Sequence, residues 1–334
     1  MATKWAGDRA TWRAGNAGLL ATLIFAVAGM LYGAAAAYVG ELNATRDHFA
    51  NNAPRLHVAP SRDIERRISD VRNVIDRFPL ERFATPQLDA EIVTAAARKD
   101  RPKIIIILDD IGLDIYAADA AFSLPGPVTY SILPYADDAQ ILAAMAEAGD
   151  GDVMLHLPME PNGDEDPGPN ALRGDMTGGA FYQTLEWNLS RFNNFVGVNN
   201  HMGSKLTTDS ASMKFVIEYL KHRGVYFIDS VTTSESVAHF VGAKMGAKVL
   251  RRDVFLDPTP GNKDLVRLQL RLTEQIALET GYAIAIGHPR PETLEVLGPW
   301  LASAEARGFE LTTPSKLLAR SKPAVLASVP ELRG

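Results

Sequence analysis

From residue 104 onward the chain keeps returning to one pattern, a short aliphatic run that ends on an ionisable or metal-binding side chain. The first instance is the sharpest: five aliphatic residues, 104–108, lead into Asp109 and Asp110. A β-branched run of this kind reads as a strand buried on both faces. Two adjacent carboxylates at its tip repel each other unless a cation sits between them or one stays protonated. A metal site or an acid–base pair supplies that reason, whereas an N-cap for the next helix accounts for only one of them. Later runs end at His156, at Asn199, Asn200 and His201, at Asp229, at Asp257 and at His288. Short strands that finish this way describe the C-terminal rim of a parallel barrel or sheet, where such folds keep their chemistry.

Strands are expected at 103–108, 128–133, 152–157, 195–199, 225–229, 247–250 or 253–256, 283–287 and 309–312. Helices are expected between them, at 114–123, 137–148, 180–192, 209–222, 233–244, 263–280 and 291–307. The helix at 209–222 is the clearest, with Thr208 or Asp209 as cap, a stripe of Phe215, Val216, Tyr219 and Leu220, and Gly224 to close it. Strict alternation over 101–322 argues for a (β/α) barrel, complete or distorted, followed by a tail at 323–334. The segment 161–179 breaks the rhythm with three prolines and five glycines. It follows His156 and is expected to be a loop on the rim.

The N-terminal third is a different object. No charged residue occurs from 14 to 40, and Lys4, Arg9 and Arg13 precede that stretch against the single acid Asp8. This reads as a cytoplasmic terminus at 1–16 and a transmembrane signal anchor at 17–40. A polar stalk follows at 41–100, and the domain beyond it is expected in the periplasm. Cleavage near the alanines at 34–37, releasing the chain to the periplasm, is the rival reading. Within the stalk, Ile64, Ile68, Val71 and Ile75 would line one face of a short helix that a protein partner could use. A net charge of -6 gives no sign of a nucleic-acid surface. With no cysteine in the chain, any transition metal must be held by histidines and carboxylates.

Of the seven histidines, 156, 201 and 288 fall at strand ends. His48 and His57 lie in the stalk, while His222 and His239 fall on helices and read as surface residues. His156, inside an apolar run, is either a core histidine or a ligand. His201 follows two amides and precedes a glycine turn, which suits polar contacts. His288 stands between Gly287 and Pro289, which permit close approach and fix the exit of the chain.

The segments 103–112 (KIIIILDDIG), 131–135 (SILPY), 153–161 (VMLHLPMEP), 198–204 (VNNHMGS), 227–233 (FIDSVTT), 252–257 (RDVFLD) and 285–293 (AIGHPRPET) resemble the divergent polysaccharide deacetylase family. The resemblance runs in consistent order over 101–320. It implies a distorted (β/α) barrel that removes N- or O-acetyl groups from an envelope polysaccharide or peptidoglycan with one divalent metal, zinc first. By the same resemblance Asp109 is the base, Asp110 and His201 are metal ligands, and His288 is the general acid. The superfamily's second metal histidine, four residues after the first, is Lys205 here. His156, from another strand, would then be the third ligand and leave a position open for water. Glu160, Asn199, Asn200 and Asp229 are expected to orient these groups or touch the substrate. Two alternatives stay open: a glycan-binding or scaffolding protein that kept the barrel and lost turnover, and metal-dependent hydrolysis of a different bond, such as a phosphoester.

Overall fold

The computed structural model describes residues 101–320. The expected terminus 1–16, anchor 17–40, stalk 41–100 and tail 323–334 lie outside the described residues. Among the described residues no helix is long and apolar enough to cross a membrane.

The elements alternate as expected. The first strand, β1, is Lys103–Ile111, followed by α1 Ile115–Phe122, β2 Thr129–Ile132, α2 Ala139–Glu147, β3 Val153–Met159 and α3 Gly178–Leu189. Then come β4 Gly197–Met202, α4 Ser210–His222, β5 Tyr226–Asp229, α5 Ala238–Met245, β6 Val249–Arg251 and β7 Val254–Phe255. The described chain ends with α6 Lys263–Thr280, β8 Tyr282–Gly287, α7 Pro291–Ala304, β9 Glu310–Leu311 and α8 Pro314–Arg320. Both alternatives at 247–256 exist, as β6 and β7. Every strand pairing is parallel, in the order β6-β5-β4-β3-β2-β1-β8-β7. The sheet is a half-barrel of the α/β type. Its two ends belong to one stretch of chain: the Arg252 N–H is given to Asp229 O on β5, and the next N–H, that of Asp253, to Ile284 O on β8. Strand β9 sits outside this order, paired to the start of β1 at Lys103 and Ile104.

The aliphatic run of β1 is buried throughout, as a central parallel strand requires. Ile105, Ile107, Met154, Tyr226, Ile228, Leu250, Ile284 and Ile286 form one cluster, and Leu317 and Leu318 of α8 pack into it. Asp152 ties α8 down by accepting bonds from Ser315 N, Ser315 Oγ and the Tyr226 hydroxyl.

Helix α4 is capped by Asp209, whose carboxylate accepts from Ser212 N at 2.8 Å, and Gly224 follows at φ 73°. Its buried stripe is Met213, Val216, Ile217 and Leu220 rather than the expected Phe215 and Tyr219. Those two rings stack on each other on the flank of the helix, where Phe215 also meets Phe181 of α3 edge-on. His239 differs as well: it is half-buried, and its Nδ1 is enclosed without a hydrogen-bond partner among the described residues.

Candidate metal centre

Side chains alternate along a strand, so the inward column of each strand predicts its own rim residue. On β1 the column runs Ile105, Ile107, Asp109; on β3 it runs Met154, His156; beyond β8 it runs Ile284, Ile286, His288. On β4 the register sets Asn199 opposite His156 and His201 opposite Pro158. The apolar core therefore ends upward in a ring of polar groups.

Asp110 should point the other way, and backbone geometry prevents it. The β1–β2 register slips between Leu108 and Ile111, a bulge, and Asp110 takes φ 60°. A left-handed aspartate is uncommon and tends to mark a functional position. Here it returns the second carboxylate to the same site as the first. Gly112 completes the turn at φ 115°, its Cα so close to Ala136 that a side chain would clash.

Asp110 Oδ1 lies 3.2 Å from His156 Nε2 and 3.0 Å from His201 Nδ1. This buried oxygen has no assigned hydrogen-bond partner among the described residues. Donor atoms of Asp110, His156 and His201 all fall within 4.8 Å of one another. A carboxylate oxygen and two ring nitrogens converging at these distances fit a divalent cation.

The two adjacent carboxylates have opposite electrostatics. Burial pushes the Asp109 carboxyl up, against the opposing pull of His156, His288 and Asn199. Burial also works against charge on Asp110, but His156 and His201 override it and hold Asp110 far below the usual carboxylate range. His156 is raised despite its burial, because Asp109 and Asp110 face it.

Across the site, His288 Nε2 stands 3.6 Å from Asp110 Oδ2. Its Nδ1 is 2.9 Å from Asp257 Oδ1, and Asp257 Oδ2 accepts from His288 N and from Thr293 Oγ1, each at 2.8 Å. Burial opposes charge on His288, yet Asp257 outweighs it and raises the imidazole above its ordinary value. Asp257 is a residue that the sequence reading did not put in the site. Its signal was present, since it ends an apolar run as the others do. Ser131 and Ser230 were missed too; both bond to Asn199.

Asn199 lies in the cluster and its amide Nδ2 donates to Asp109, 2.8 and 3.0 Å from the two carboxylate oxygens. The other expected helpers lie apart from it. Asn200, one residue along, points to the opposite face and braces the β4–β5 turns through Met202 O and Ser230 N. The Asp229 side chain caps its own turn by accepting from Val231 N, apart from the Asp110, His156 and His201 cluster. Glu160 is held 2.7 Å from Lys205 Nζ, accepts from Gly174 N and faces Arg173 at 3.6 Å. The Lys205 ammonium, four residues after His201, is thus a partner for a buried carboxylate. The segment 161–179 does return to the rim, bonding at Leu172 to the end of β3.

A family model described as divergent polysaccharide deacetylase matches residues 106–318. An uncharacterized Escherichia coli K12 protein, YibQ, is 33% identical over 195 residues, 58% of this chain and 61% of that protein. An uncharacterized protein of Haemophilus influenzae Rd is 31% identical over 195 residues, 58% of this chain and 69% of that one. The match to the Escherichia coli relative thus spans less than two thirds of that protein's length. The crystal structure of uncharacterized protein ATU2773 from Agrobacterium tumefaciens C58 shares the fold, with a TM-score of 0.63 at 22% identity, over 68% of this chain and 94% of that chain.

Proposed function

The chain belongs to the divergent polysaccharide deacetylase family, and on that premise we propose that it is a metal-dependent hydrolase removing acetyl groups from an envelope glycan. The observation that carries this reading is the convergence of Asp110, His156 and His201 around a buried Asp110 oxygen with no assigned hydrogen-bond partner among the described residues. A divalent cation held by these three, zinc first, would supply a Lewis acid for the acetyl carbonyl. Asp109, pushed up by burial and held by Asn199, takes the proton from the attacking water. As the water oxygen bonds to the acetyl carbon, the bond from that carbon to the sugar nitrogen or oxygen breaks. His288, kept protonated by Asp257, gives its proton to the departing amine or alkoxide. The products are acetate and the deacetylated sugar.

In this reading the half-barrel is the distorted deacetylase barrel, standing outside the inner membrane on an anchor at 17–40 and a stalk at 41–100. The support for that placement is the uncharged stretch behind Lys4, Arg9 and Arg13. Lys205, where the superfamily has a second metal histidine, favours a second reading, a glycan-binding protein without turnover. One experiment separates the two. The full chain, loaded with zinc, is incubated with acetylated peptidoglycan and with chitin oligomers, and released acetate is measured. Acetate release that Asp109→Asn abolishes supports the hydrolase. Glycan binding that survives both metal removal and Asp109→Asn, without acetate, supports the binding protein.

A further inference from the structure

Asn199 is wholly buried, and every hydrogen-bonding capacity of its amide is used. Nδ2 donates to both oxygens of Asp109 and, at 3.0 Å, to Ser230 Oγ. Oδ1 accepts from Ser131 Oγ and faces His156 Nδ1 at 2.9 Å. The orientation of this amide has a physical cause. Turned over, it would press Oδ1 against the Asp109 carboxylate, acceptor against acceptor, and would leave the Ser131 hydroxyl and His156 facing an N–H group. Asp109 therefore decides which way Asn199 points.

A consequence reaches the metal ligands. With Oδ1 facing it, His156 Nδ1 must carry a hydrogen, so Nε2 is the nitrogen left with a free lone pair in the neutral ring. Nε2 is the atom 3.2 Å from Asp110 Oδ1. In His201 the opposite nitrogen, Nδ1, faces that same oxygen. We propose that Asn199 is the positioning residue that couples the two halves of the site, with one neutral amide holding the base Asp109 and presetting the tautomer in which His156 can bind a metal. This rests on the hydrolase reading for what the site does, but the positioning itself does not need turnover to be observed.

The test uses the full chain with ¹⁵N-labelled histidine, as wild type, Asn199→Ala and Asn199→Asp. Two-bond ¹H–¹⁵N couplings report the His156 tautomer at alkaline pH, where the ring is neutral, and a chromophoric chelator in competition reports zinc affinity. Wild type is expected to show the Nδ1–H form at His156. Asn199→Ala is expected to lose that preference and to weaken zinc binding by about 10–100-fold, the usual effect of removing a group that orients a metal histidine. Asn199→Asp can still accept from Nδ1–H but, when ionised, cannot donate to Asp109. It should keep the tautomer and near wild-type zinc affinity while losing acetate release. An Nε2–H form in the wild type overturns the proposal, as does an alanine variant with unchanged tautomer and affinity. Should the alanine variant fail to fold, the aspartate variant decides, and loss of its Nδ1–H form overturns the proposal. A wild type that shows Nδ1–H but binds no zinc sinks the hydrolase reading and upholds the role of the amide.

Discussion

Two neighbouring aspartates carry opposite assignments because their surroundings differ, not their chemistry. Asp109 is buried against a neutral amide, whereas Asp110 faces two histidine nitrogens. Asp109→Asn is expected to lower acetate release about 10²–10⁴-fold, since a general base is worth that much. Zinc should be retained, because the substituted amide keeps an oxygen that can accept from Asn199 Nδ2. Asp110→Asn should instead lose the metal, which elemental analysis after dialysis would reveal. His288 makes the pH dependence predictable in sign. Asp257 raises its pKa, and in the proposed mechanism the protonated ring is the acid, so acetate release is expected to fall as pH rises through that raised value. In Asp257→Asn the alkaline limb of the pH–rate profile should move to lower pH; an unmoved limb would remove His288 as the acid. Asp109, Asp110, His156, His201 and His288 were readable from apolar runs that end on them. Asp257 was visible in the same way and passed over. The amide bonds of Asn199 were not readable, because they join residues up to 90 positions apart through a register that no local spacing records.

At the scale of elements, the turn after β1 matters most. The bulge between Leu108 and Ile111 and the left-handed Asp110 together aim both carboxylates at one point. Gly112 holds that turn at φ 115° against Ala136. Gly112→Ala would strain the backbone and crowd that contact, at a cost of about 1–3 kcal/mol. A urea melt of the full chain would measure it, and a variant as stable as wild type would show that the turn can relax. The helix pattern was legible at α4, where Asp209 caps the first turn as expected. Its aromatic residues were counted in the buried stripe because Phe215 and Tyr219 satisfy the same spacing as Val216 and Leu220. Helix period alone cannot say which of two adjacent stripes faces the sheet; here the sheet took the aliphatic one, and the rings found Phe181 and Tyr182 of α3.

For the whole molecule, one apolar column supports the chemistry from below. Leu317 and Leu318 of α8 pack into the cluster of inward-facing strand residues, on whose upper end the site is built. Leu317→Ala should lower stability by about 2–5 kcal/mol, the range for a truncated core leucine, seen as a lower urea midpoint; an unchanged midpoint would mean that α8 is not part of the cooperative unit. The alternation of strands and helices, the parallel α/β class and the rim residues were all determined by the sequence itself, because burial and pleat act locally and leave a period in the chain. Tertiary structure alone decided the rest. It set how the strands are ordered, with β1 between β2 and β8 and with one short segment touching both ends of the sheet. It also decided that Asp229 turns inward to its own backbone while Asp257 reaches His288. Both are aspartates at the end of an apolar run, and only the neighbouring strand determines what each one meets.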